Sequence, residues 1–161
     1  MSDRSDHAKR ILKNIIYATV ATADKDGKPW NSPVRFVYDN ELNIYWFSDK
    51  ENQHSKNVRE NDNVFIVIYD STMPEGSGEG VYIEANACEL SDSDEILYAR
   101  RLKKGQIYDR PSSDFLGDAV RRVYKAVPQR IWSNDVEVKD GVFIRDFRIE
   151  ISLEELREML S

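Results

Sequence analysis

The chain has 161 residues, 40% hydrophobic and 11% aromatic, enough to bury a sizeable core in one domain and too apolar for intrinsic disorder. With 29 acidic against 23 basic residues the formal charge is −6, which argues against a nucleic-acid partner, because phosphate backbones are held by basic surfaces. One cysteine, Cys88, excludes an internal disulfide and a cysteine-based zinc cluster, and the longest apolar run, about six residues, is too short to cross a membrane, so a soluble cytoplasmic chain is expected.

Taken in order, Ala8, Ile11, Leu12 and Ile15 recur at helical spacing and predict a first helix over residues 5–14. Residues 17–23 are small or β-branched and run into Asp24-Lys-Asp-Gly27, a turn sequence, so a hairpin follows with residues 30–38 as its returning strand. Pro33 removes a ladder donor there and predicts an edge or a bulge. After Asp39-Asn40-Glu41, residues 43–48 form a third strand, then a short helix begins, then residues 64–69 make an uninterrupted apolar run that fits a strand buried on both faces. Residues 71–80, with three glycines and a proline, have no periodicity and are a candidate flap. Residues 81–90 alternate, Val81, Ile83, Ala85 and Ala87 on one face and Tyr82, Glu84, Asn86 and Cys88 on the other.

The period then changes. Acids at Asp92, Asp94 and Glu95 open a helix that Gly105 ends, and Ser113 is placed to cap another, with Phe115, Leu116, Ala119, Val120, Val123 and Tyr124 as its apolar stripe. Pro128 breaks that run. Residues 129–133 and 142–151 read as the last strands, separated by residues 134–141, and Ser152-Leu-Glu-Glu155 has capping-box spacing for a terminal helix. With no repeat and no linker, residues 1–161 read as one domain. Seven short strands and a few helices without regular alternation favour an antiparallel barrel over a doubly wound sheet.

The chemistry concentrates after the third strand. Ser48, Asn52, Gln53, His54, Ser55 and Lys56 stand at the end of that strand and the first turn of the next helix, where free amides and the positive end of the helix dipole favour an anion. The plainer alternative is that Ser48, Asn52 and Ser55 cap a surface helix, Lys56 and Arg59 form a solvated face and Cys88 is buried and inert.

Thr19-Val-Ala-Thr-Ala23, the Pro-Val-x-Phe of Pro33 to Phe36, Tyr45-Trp-Phe-Ser48 and Gln53-His-Ser-Lys-Asn-Val-Arg-Glu-Asn-Asp-Asn-Val64 together resemble the pyridoxamine 5'-phosphate oxidase-like flavoproteins. That resemblance implies a mainly antiparallel split β-barrel with accessory helices, and a homodimer binding FMN at the subunit interface. It places the flavin phosphate at the helix after the third strand, on Ser48, Gln53, His54, Ser55 and Lys56, beside Phe47. Where the family usually carries an Arg or Lys pair, this chain has Gln53 and His54. The resemblance also runs the strand of Ser32, Pro33, Val34 and Arg35 along the flavin ring edge, with the charge of Arg35 beside it, and sets Trp132 on the cofactor from the partner chain.

The substrate-binding arginine and histidine cluster of the true oxidase is not recognisable, and the only histidines are His7 and His54. The implied activity is FMN-dependent electron or hydride transfer from a reduced nicotinamide or another small organic donor. A non-catalytic protein that holds flavin, deazaflavin or haem on the same fold is the alternative.

Overall fold

The computed structural model describes residues 3–74, 79–102 and 110–161. Part of the 71–80 segment, residues 75–78, and Gly105 lie outside the described residues. The elements run α1 (Asp3–Asn14), β1 (Tyr17–Ala23), β2 (Pro29–Tyr38), β3 (Ile44–Asp49), α2 (Gln53–Glu60), β4 (Asn63–Tyr69), β5 (Gly80–Glu89), α3 (Ser93–Leu102), a 3-10 turn (Ser112–Phe115), β6 (Arg121–Lys139), β7 (Val142–Ile151) and α4 (Leu153–Leu160).

All strand pairs are antiparallel, in the order β3-β2-β1-β4-β5-β6-β7, and β3 also pairs with β6. That last pairing closes the first six strands into a ring. This is the mainly antiparallel architecture with accessory helices expected from the strand pattern. Alternation supplies the interior: Ala18 and Val20, Val34 and Phe36, Ile44 and Trp46, Ile66 and Ile68, Ile83 and Ala85, and Tyr124 and Ala126 all point inward and are buried. Ala8, Ile11 and Leu12 of α1 and Leu156 of α4 join the same core. A second, outer core forms where α3 and the 3-10 turn cover β3 and β6, through Tyr45, Leu90, Ile96, Ala99, Phe115 and Val123.

Several local expectations change. No helix forms over residues 113–124; the 3-10 turn stops at Phe115, Gly117 takes φ +57°, and the chain enters β6 at Arg121. Because β6 lies between the two cores, Val123 packs outward and Tyr124 inward, and a strand apolar on both faces mimics a helical stripe. Pro128 does not end this segment. It sits at a bulge, where Glu84 and Ala85 pair with Arg130 and Pro128, and there β6 changes its other partner from β3 (up to Ala126) to β7 (from Ile131). Residues 134–139 likewise continue β6, turning through Asp140 and Gly141, both at positive φ, into β7. Beyond Ser133 these two strands pair only with each other and form an arm.

Pro33 lies on a free edge without a bulge: β1 pairs with it in register, while β3 pairs with β2 only over Phe36, Val37 and Tyr38. The apolar run of β4 is buried on one face only, since Phe65 and Val67 are half-buried and Tyr69 is exposed. Cys88 is exposed on the polar face of β5. No helix among the described residues is long and apolar enough to cross a membrane.

Candidate functional site

At one end of the ring the inward positions turn polar. Thr22 of β1, Ser32 of β2 and Ser48 of β3 are all buried, and α2 lies across them with His54, Ser55, Asn57 and Val58 facing in. The imidazole of His54, only 6% exposed, is held between two hydroxyls: Nδ1 is 3.0 Å from Ser32 Oγ and Nε2 is 2.8 Å from Ser48 Oγ. Ser32 Oγ also accepts from the indole N–H of Trp30 at 3.1 Å, and Ser48 Oγ from the Asn52 amide at 2.9 Å. Each serine keeps an O–H and a lone pair, so a neutral imidazole, donor on one nitrogen and acceptor on the other, satisfies both. Burial pushes the His54 pKa below its ordinary value.

Around this group Asn57 donates to Thr22 Oγ1 at 3.0 Å, Gln53 donates to Asn57 Oδ1 at 2.8 Å, and Ser55 Oγ donates to the Asp49 carbonyl at 2.7 Å. Asn52 occupies the N-cap position, yet its side chain makes no cap bond, having gone to Ser48. The helix start therefore presents outward the first-turn amides and the exposed side chains of Gln53 and Lys56, the latter 3.2 Å from Glu51. The structure thus brings Ser32, Ser48, His54 and Ser55 together as an internal polar plug and leaves Gln53 and Lys56 at the surface.

Alternation along β2 sends the next residues to opposite faces. Ser32 and Val34 point inward, while Pro33 and Arg35 point out. Pro33 helps line an open, mostly apolar groove of about 330 Å³ with Tyr17, Thr19, Tyr69 and Asp70. Arg35 pairs in register with Tyr17 and has no carboxylate within ion-pair reach among the described residues. Tyr17, Tyr69 and Trp30 are 56%, 53% and 48% exposed. Strict period-2 reading of β1 and β4 places Tyr17 and Tyr69 on the outer face; Tyr69, which its apolar run suggests is a core phenol, is therefore exposed.

The groove is one end of a larger face. Rungs of register partners run Pro33, Thr19, Val67, Tyr82, Trp132 and Glu150 across β2, β1, β4, β5, β6 and β7. Four strand spacings, roughly 19 Å along the sheet, separate Pro33 from Trp132 in one chain. Trp132 packs beside Phe65 at 6.2 Å and under Arg130 at 4.7 Å. Phe47 is elsewhere, edge-on to Phe115 at 5.5 Å in the outer core.

Three comparisons bear on this arrangement. No curated protein matches the chain. Among solved structures, a haem-binding protein from Mycobacterium smegmatis superposes with a TM-score of 0.70 at 16% identity over 98% of this chain, which spans 61% of that one. HutZ, the haem storage protein from Vibrio cholerae, gives 0.66 at 19% identity over 81% of this chain and 94% of that one. An F420 reductase gives 0.56 at 18% identity over 76% and 94%. At these identities the likeness is one of fold. The pyridoxamine 5'-phosphate oxidase family model matches residues 5–134, most of the described ring and the whole polar plug, and the chain accordingly belongs to the pyridoxamine 5'-phosphate oxidase family.

Proposed function

We propose that the protein is an FMN-dependent oxidoreductase in which the cofactor lies on the open outer sheet face, between this chain and a second copy. The observation that carries the reading is the groove of Pro33, Tyr17, Thr19 and Tyr69 beside the cation of Arg35, which has no acidic partner among the described residues. A planar, largely apolar heteroaromatic ring with a polar edge matches that lining. The free edge of β2 below Phe36 offers backbone donors and acceptors to such a ring. Arg35 would favour negative charge on the ring edge nearest to it.

The phosphate side fits in a narrower way than the resemblance implies. With Ser48, His54 and Ser55 engaged inside, a phosphate at α2 would be held by the first-turn amides, Gln53 and Lys56. When bound, FMN supplies hydride and single-electron transfer; the chain's own residues bind it, orient it and exclude water. The haem reading finds less support. Both histidines are engaged, His54 by two serines and His7, whose Nε2 is 3.0 Å from Glu79.

The test is the absorbance spectrum of the purified protein, followed by titration with FMN and riboflavin. A two-banded flavin spectrum that bleaches on addition of NADH or NADPH is the expected result. A protein that neither takes up FMN nor gains melting temperature in its presence would overturn the reading, and a Soret band after haem addition would favour the non-flavin alternative.

A further inference from the structure

Arg130, Arg145 and Arg148 all lie over aromatic rings, Arg130 over Trp132 at 4.7 Å and Arg145 over Phe147 at 5.5 Å, but Arg148 of β7 differs in its acidic partners. Arg130 is committed to Glu150, donating at 2.9 and 2.6 Å, and Arg145 to Glu137 at 2.7 Å. The Arg148 guanidinium carbon lies nearest to its ring, 3.9 Å from the centroid of Tyr82 and 5.8 Å from that of Phe65, and has no carboxylate in ion-pair reach among the described residues. A guanidinium held on an aromatic ring is pre-organised, and its N–H fork matches a carboxylate or phosphate.

Tyr82 connects this cation to the groove. A Cβ placed on Gly80 would meet Tyr82 Cε2 and Oη at 3.1 Å, so the ring leans along β5 across the glycine. Gly80 pairs with Tyr69, a wall of the groove. Arg148, Tyr82, Tyr69, Tyr17 and Pro33 therefore form one path over the open face.

We infer that Arg148, carried on the ring of Tyr82, is an anion-recognition residue of this face and takes the carboxylate or phosphate of a planar aromatic substrate. The assignment to substrate, as opposed to cofactor, rests on the FMN reading above; the anion site itself does not.

The test is calorimetric titration of the full chain with 2-naphthoate and with neutral 2-naphthamide, each with and without saturating FMN. The wild-type protein should prefer naphthoate about tenfold or more, the effect of one charge-assisted bidentate pair. Arg148→Gln should abolish the preference while leaving naphthamide binding and the melting temperature in place; Arg130→Gln should retain it. Gly80→Ala, which displaces the Tyr82 ring, should reduce it. A preference that persists in Arg148→Gln, or none in the wild type, overturns the inference. A preference that FMN erases, with Arg148→Gln weakening FMN but not riboflavin, overturns the substrate assignment and gives the anion to the cofactor. A naphthoate preference in a protein that binds no FMN removes the flavin reading and leaves the anion site standing.

Discussion

His54 and Ser48 face each other across the end of the strand ring, Nε2 to Oγ at 2.8 Å, and this contact ties α2 to β3 from the inside. Together with the Ser32 contact at 3.0 Å it makes the imidazole a buried strut between two strands and a helix. The same residues in the linear sequence read as an outward anion cradle. Their inward direction separates two roles, structural support and phosphate contact, that distinct substitutions can tell apart.

Replacing His54 with Ala leaves the hydroxyls of Ser32 and Ser48 without their shared partner and opens a cavity. The expected loss is about 1–3 kcal/mol in unfolding free energy, measured by urea denaturation. FMN and riboflavin affinity should fall by the same factor. The pair Gln53→Ala and Lys56→Ala should do the reverse, sparing stability and weakening FMN more than riboflavin, which lacks the phosphate. Selective loss of FMN in His54→Ala would contradict the support role.

The pH dependence of stability follows from the buried imidazole. The unfolded chain takes a proton near the ordinary histidine value of 6.5, whereas burial lowers the His54 value in the folded state. Between the two values the unfolded state binds more protons, so stability is complete above about pH 7 and declines as pH falls below 6.5 toward the folded-state value. Urea midpoints measured between pH 7.5 and 5 should show this slope, and His54→Asn should flatten it. An unchanged slope would assign the effect to other groups.

Arg122 is a second internal tie. It is buried, donates to the carbonyls of Gly117, Ala119 and Arg121, and pairs with Glu89 at 3.0 Å. Glu89 in turn accepts from Arg59 at 3.0 Å and Tyr124 at 3.1 Å, and burial, above all, pushes the Tyr124 phenol up to about 12. Arg122→Met should cost about 2–4 kcal/mol, since three carbonyls lose their donor while Glu89 keeps two partners. Hydrogen exchange should speed up first in residues 116–121, the entry into β6.

In the proposed assembly a second copy covers the open face and the β6–β7 arm. The arm carries Val138, Val142, Phe143 and Ile144 as exposed apolar side chains on two strands, and an isolated two-stranded ribbon is marginal in water. Phe143→Ser with Ile144→Ser should leave the ring's melting transition near its original position and raise the dimer dissociation constant about tenfold or more, as measured by sedimentation velocity. Dilution below that constant should release flavin. A monomer that keeps its flavin would contradict a site shared between copies.

Strand alternation was legible where one face meets the core. In β5, Val81, Ile83, Ala85 and Ala87 are buried as their period demands, and Tyr82, Glu84 and Cys88 lie on the other face. The capping box was equally plain, with Ser152 Oγ accepting from the Glu155 amide at 3.2 Å. β6 was not legible, because Val123 and Tyr124 enter two different cores and erase the period-2 signal. Its bulge at Pro128 looked like an end for the same local reason: a missing donor reads as a break until the partner strands are known.

By itself the sequence determined the strands and helices outside residues 113–139 and the polar cluster after β3, which depend on local pattern within a few residues, and the family, which rests on the order of several such segments. Only the tertiary structure decided that the ring closes by β3 pairing with β6, a contact between segments far apart in the chain. That closure decides which way every side chain faces. It turns Ser32, Ser48 and His54 inward as a plug and leaves Pro33 and Tyr17 outward in a groove with Arg35 beside them, while the pairing of β7 with β6 brings Arg148 onto Tyr82. Direction, the difference between a strut and a ligand contact, is a property of packing and not of residue type.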